Sequence, residues 1–120
     1  MSATDTFTIY HNPRCSKSRG ALELLRAHGI EPAVVKYLDT PPDAATLAGL
    51  LERLGLAPRA LLRSGEDAYQ SLNLADPALS PAQLIAAMVA HPQLIERPIV
   101  VRGARAVIGR PPERVLELLQ

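Results

Sequence analysis

The sequence predicts an α/β fold in which a β-α-β half and a β-β-α half are separated by a block of helices. Three observations carry this. Short β-rich runs lie near the two ends of the chain, "FTIY" and "AVVKYL" early, "RPIVVRG" and "RAVIGR" late. The middle shows leucines at helical spacing and no strand-like run. A polar loop, "HNPRCSKSR", joins the first strand to the first helix.

The elements follow in order. "FTIY" (7–10) alternates apolar and polar residues and reads as the first strand. "SRGALELLRAHG" (18–29) puts Ala21, Leu22 and Leu25 on one helical face, and Gly29 is a natural stop. "AVVKYL" (33–38) is the second strand, expected parallel to the first through a right-handed crossover. "TPPDAATLAGLLERLG" (40–55) reads as a helix with Thr40 near its cap and prolines in its first turn. Leu47, Leu50, Leu51 and Leu54 form its apolar stripe. "PRALLR" (58–63) and "DAYQSLNL" (67–74) predict short helices. "SPAQLIAAMVAH" (80–91) opens on a capping box, with Ser80 as cap, Pro81 at the first position and Gln83 at the third. Strands at 97–103 and 105–110 are close enough for a hairpin, and "PPERVLELLQ" (111–120) is the closing helix. This is the thioredoxin-like order: one domain over 1–120, a mixed four-stranded sheet, and a helical insertion at about 42–92.

Composition narrows the function. The 120 residues suit one domain with a hydrophobic core. One Phe and three Tyr are the only aromatics, so Leu, Ala, Val and Ile must fill that core. No apolar run approaches the roughly 20 residues that span a bilayer. The opening "MSATDTFT" is polar and contains an acid, which leads us to expect neither a signal nor a transit peptide. One cysteine allows no internal disulfide, so a reducing, cytoplasmic location is expected. A net charge of +1 argues against nucleic acid as the main partner. Of the 13 basic residues only Lys17 and Lys36 are lysines; the rest are arginines, whose forked donors grip oxyanions.

The single cysteine, Cys15, lies where a strand hands over to a helix. Open α/β sheets bind ligands at that kind of junction. Free amides at a helix start attract anions and favour a thiolate over a thiol. His11, Arg14, Lys17 and Arg19 add to that field. The competing reading is a small buried hydrophobe, the usual role of a lone cysteine. Asn12 and Pro13 shape a turn, and Ser16 and Ser18 are read as hydrogen bonders at the helix start. A phosphatase loop would need arginine six residues after the cysteine, but Ala21 stands there and Gly20 before it. A Cys-x-x-Cys pair would need cysteine at position 18, which is Ser18. Redox chemistry at Cys15 therefore needs an external thiol. Arg63, Arg97 and Arg110 stand at element ends from which they could reach the same site. The Arg97–Pro98 bond enters a strand and is a candidate for cis geometry. The three histidines and one cysteine are too scattered for a metal site, and no glycine-rich phosphate loop is present.

"YHNPRCSKSR", "YLDTPP", "RALLR", "HPQLIERPIVV" and "IGRPPERVLELL", in that order, resemble the glutaredoxin-coupled arsenate reductase family of bacteria (ArsC type), in its short members. The resemblance runs from about Phe7 to Leu119. It implies a thioredoxin-like fold and reduction of arsenate to arsenite. Cys15 matches the nucleophile and His11 a residue that keeps the thiol ionised. Asn12 falls within the substrate-binding loop. Arg63, Arg97 and Arg110 match the arginines that hold the oxyanion, and Pro98 matches a cis-proline. Glutathione is implied as co-substrate, with glutaredoxin resolving the intermediate. No bound cofactor, no metal, no membrane and a monomer are expected. Two other classes stay open. One is a glutathione-dependent thiol oxidoreductase with a different substrate. The other is a non-enzymatic regulator of the Spx type that binds RNA polymerase.

Overall fold

A computed structural model describes residues 6–120; the first five residues of the polar opening stretch lie outside the described residues. The chain divides into two compact units, one running to Thr40 and resuming over Arg97–Gln120, the other comprising Pro41–Glu96. The fold is thioredoxin-like, and the first unit holds its sheet.

In the first unit β1 (Phe7–Tyr10), α1 (Ser16–Ala27) and β2 (Ala33–Val35) form the β-α-β half, while β3 (Ile99–Arg102), β4 (Arg105–Ile108) and a closing 3-10 helix (Pro112–Leu119) form the other. The sheet order is β2-β1-β3-β4. β1 runs parallel to β2 and antiparallel to β3, with Ile9 opposite Val34 and Val100. β3 and β4 are an antiparallel hairpin with Gly103 at positive φ in its turn. One core cluster joins Phe7, Ile9, Ala21, Leu22, Leu25, Val100, Val107, Val115 and Leu118. The apolar face read from α1 is thus the face that packs on the sheet. Gly29 takes φ 78 just past the α1 end, the left-handed geometry that glycine permits.

The second unit is helical: α2 (Ala44–Leu54), α3 (Pro58–Leu61), α4 (Asp67–Ser71), α5 (Pro81–Ala90) and a 3-10 turn at Pro92–Leu94. Leu47, Leu50, Leu51, Leu61, Leu84, Met88 and Leu94 are buried there. The Ser80–Gln83 capping box opens α5 as expected. An isolated antiparallel bridge pairs Leu62 with Ile95. No helix among the described residues is long and apolar enough to cross a membrane.

Three local expectations change. β2 stops at Val35, because the amides of Asp39 and Thr40 both turn back to Lys36 O. That turn buries Tyr37 and leaves Leu38 exposed. The α2 cap is Asp43, whose carboxylate accepts the Thr46 amide; Thr40 instead donates its hydroxyl to Lys36 O, and both prolines precede the helix. The closing helix is 3-10 over its whole length.

Candidate active site

The loop after β1 is shaped by short bonds before any chemistry enters. His11 continues the β1–β2 pairing by one step, donating its amide to Val35 O at 2.8 Å. Asn12 then closes a double turn. Its carbonyl accepts the Cys15 amide and its side-chain oxygen accepts the Arg14 amide, both at 3.0 Å. Cys15 becomes the residue that caps α1, in extended geometry and half-buried. Its carbonyl accepts the Arg19 amide at 3.0 Å. No side-chain oxygen caps this helix start; the cap residue is the cysteine itself.

Beneath the loop lies Ser18, fully buried. Its Oγ accepts the Asn12 amide at 3.0 Å and lies 2.6 Å from His11 Nδ1. His11 is buried too, and burial lowers its pKa from the ordinary 6.5, with the charges of Lys36, Arg26 and Arg19 acting in the same direction. Both effects favour the neutral His11 ring over the charged one. Its route to Cys15 runs through Ser18 and the Asn12 turn, a matter of loop shape more than of charge.

The positive group at the sulfur comes from the far end of the chain. Arg110 Nη1 lies 3.8 Å from Cys15 Sγ and 3.5 Å from Arg97 O. Arg97 and Arg110 stand just outside the open end of the β3–β4 hairpin, whose backbone continues through a Gly109 amide bond to Pro98 O at 2.9 Å. Nε and Nη1 of Arg97 are buried. Both Arg-Pro bonds, Arg97–Pro98 and Arg110–Pro111, are cis. Gly109 is the close-packed point of this corner. A Cβ there would come within 2.9 Å of the Pro98 ring, 3.1 Å of Val115 and 3.2 Å of Ala21. Only a bare backbone lets β4 run that close before it delivers Arg110.

Arg63 belongs to the second unit. Its amide donates to Leu94 O at 2.8 Å, beside the Leu62–Ile95 bridge. Its side chain pairs with Glu66 (Nη1 to Oε2, 3.3 Å) and Glu96 (Nε to Oε1, 3.6 Å).

Of the residues singled out in the sequence, the structure gathers Cys15, Asn12, His11, Arg97, Pro98 and Arg110 in the first unit and holds Arg63 between two carboxylates in the second. Sequence reasoning did not find Ser18 as the buried hub, Gly109 as the tight corner, or the two glutamates. The one available signal for Ser18 was its spacing, three residues past the helix cap, where a side chain can turn back toward the loop.

The sequence profile of the ArsC family matches residues 10–118. The protein named Arsenate reductase from Neisseria meningitidis serogroup A is 49% identical over 112 residues, covering 92% of this chain and 96% of that protein. An Escherichia coli K12 protein, named Uncharacterized protein YfgD, is 59% identical over 117 residues, covering 97% and 98%. Among solved structures, the arsenate reductase from Vibrio cholerae superposes with a TM-score of 0.93 at 53% identity, covering 95% of this chain and 98% of that one.

Proposed function

The chain belongs to the ArsC family, and from that membership we propose that it reduces arsenate to arsenite, with Cys15 as nucleophile and glutathione and glutaredoxin as reductants. The observation that carries the proposal is the Arg110 guanidinium 3.8 Å from the Cys15 sulfur. A guanidinium there sets a positive charge beside the reacting sulfur, and its forked shape suits an incoming oxyanion. Arg97 adds a second guanidinium on the same unit. The family resemblance assigns the same role to Arg63.

The chemistry balances with one protein thiol. The Cys15 thiolate attacks arsenic, and an arsenate hydroxyl takes up a proton from solvent and leaves as water, giving a sulfur–arsenic bond with arsenic still pentavalent. Glutathione thiolate then attacks Sγ. A disulfide forms, the sulfur–arsenic bond breaks, and its electron pair stays on arsenic, which departs as trivalent arsenite. Glutaredoxin thiolate attacks the glutathione sulfur and returns Cys15 as thiolate. The chain has no second cysteine for that last step, so a borrowed thiol is required. The reading sets the reaction in the cytoplasm, on a monomer, with no bound cofactor.

The test supplies purified protein with arsenate, glutathione and glutaredoxin and measures arsenite. Turnover is expected, and Cys15→Ser should abolish it. Undiminished turnover in Cys15→Ser would sink the mechanism. Glutathionylation of Cys15 without any arsenite would turn the assignment to a thiol oxidoreductase with another substrate.

A further inference from the structure

We propose that Glu66 and Glu96 are exchangeable counter-ions for Arg63, and that together they set how tightly the protein takes an oxyanion. This rests on the proposed function, in which Arg63 is an oxyanion ligand.

Two arginines of the second unit make the contrast. Arg59 donates to the backbone carbonyls of Leu74 and Asp76 at 2.7 and 2.8 Å. Those acceptors are part of the chain and cannot swing away, so its fork is committed to structure. Arg63 is held by side chains alone, at 3.3 and 3.6 Å. Both are long for charge-assisted bonds, which favour about 2.7–2.9 Å. The carboxylates come from separate segments. Glu66 follows Arg63 through a turn, its amide donating to Arg63 O at 3.4 Å. Glu96 arrives from the facing segment, fixed by the Leu62–Ile95 bridge and by its own amide bond to Leu61 O at 2.9 Å. Arg63 is thus approached from both sides.

Two carboxylates, Glu66 and Glu96, therefore compete with any incoming anion for the Arg63 guanidinium. All three side chains keep a quarter to a third of their surface in water, 25, 30 and 28% for Arg63, Glu66 and Glu96. A displaced carboxylate can therefore rotate into solvent without being stranded in the interior. A tetrahedral oxyanion offers the guanidinium the same pair of oxygens that a carboxylate does. Exchange of a glutamate for a doubly charged oxyanion keeps Arg63 paired at every stage, and it discriminates against singly charged anions that gain less from the same displacement.

The experiment compares the full-length protein with Glu66→Gln, Glu96→Gln, Arg63→Ala and the Arg63→Ala/Glu66→Gln double variant. Dissociation constants for inorganic phosphate and arsenate come from calorimetry, alongside kcat and KM for arsenate. Glutamine keeps the shape and removes the charge. Each single glutamine variant should bind both anions roughly two- to fivefold more tightly, the scale of a partly exposed ion pair. KM for arsenate should fall by a similar factor with kcat changed less than about twofold. In the Arg63→Ala background the Glu66→Gln change should have no effect. Weaker binding would mean that the carboxylates aim the fork instead, and would overturn the proposal. So would unchanged binding, or an equal gain without Arg63. Wild-type protein that binds phosphate and arsenate but forms no arsenite would overturn the arsenate assignment and leave this inference standing.

Discussion

The β3–β4 hairpin carries arginines at both ends, and the two pairs do opposite things. At the turn, Arg102 and Arg105 face each other in register and reach the closing helix. Arg102 Nη1 donates to Leu118 O at 2.6 Å, with its guanidinium 5.1 Å from the Phe7 ring centre. Arg105 Nη2 donates to Leu118 O and Gln120 O at 2.8 and 2.9 Å. These are short bonds to the carbonyls that a helix end leaves over. At the open end, Arg110 meets a carbonyl at 3.5 Å and a sulfur at 3.8 Å. One residue type serves as a staple at one end and as a chemical group at the other. Among these bonds the difference is one of distance: 2.6–2.9 Å to carbonyls at the turn, 3.5 and 3.8 Å to a carbonyl and a sulfur at the open end.

Substitutions at the two ends test that contrast. Arg110→Ala should lower kcat/KM for arsenate by about a hundredfold, the usual cost of removing one preorganised donor. The thermal midpoint should change little. A large loss of stability with activity kept would erase the distinction. Arg102→Ala and Arg105→Ala should do the reverse, each costing about 1–2 kcal/mol in urea denaturation while turnover of the folded protein stays near wild type. The smallest effect concerns the loop between. The pKa of His11 is depressed in the folded protein, so below its ordinary 6.5 the unfolded chain binds the proton more readily. Stability should therefore fall as pH drops through 6.5. The slope of midpoint against pH should be shallower in His11→Gln, and equal slopes would show that His11 does not titrate this way.

The parts of the fold legible in the sequence were those with local causes. Leucine spacing, the Ser80–Gln83 box and Gly29 mark helices by contacts within a few residues. The order of elements implied the parallel β1–β2 pairing and the β3–β4 hairpin. The tail of β2 misled because Tyr37 and Leu38 look like strand residues, and only the turn onto Lys36 O separates a buried ring from an exposed leucine. Two consecutive prolines drew the α2 cap to Thr40, when Asp43 had the better acceptor. For the site, Cys15 and its basic neighbours were visible as a stretch. Arg97 and Arg110 were visible as arginines at element ends that could reach the same site, but their role as oxyanion ligands came only from the family pattern. Glu96 could not be seen as a partner of Arg63, because their meeting depends on the bridge between Leu62 and Ile95.

Ser18 has a consequence for how such a protein can diversify. It holds the loop from inside, gripping Asn12 and His11, while Arg19 ties the loop from outside through Pro13 O and Arg14 and Lys17 stand exposed beside them. A lineage can therefore rewrite the outward residues, trying new thiols or new anions, without moving the sulfur.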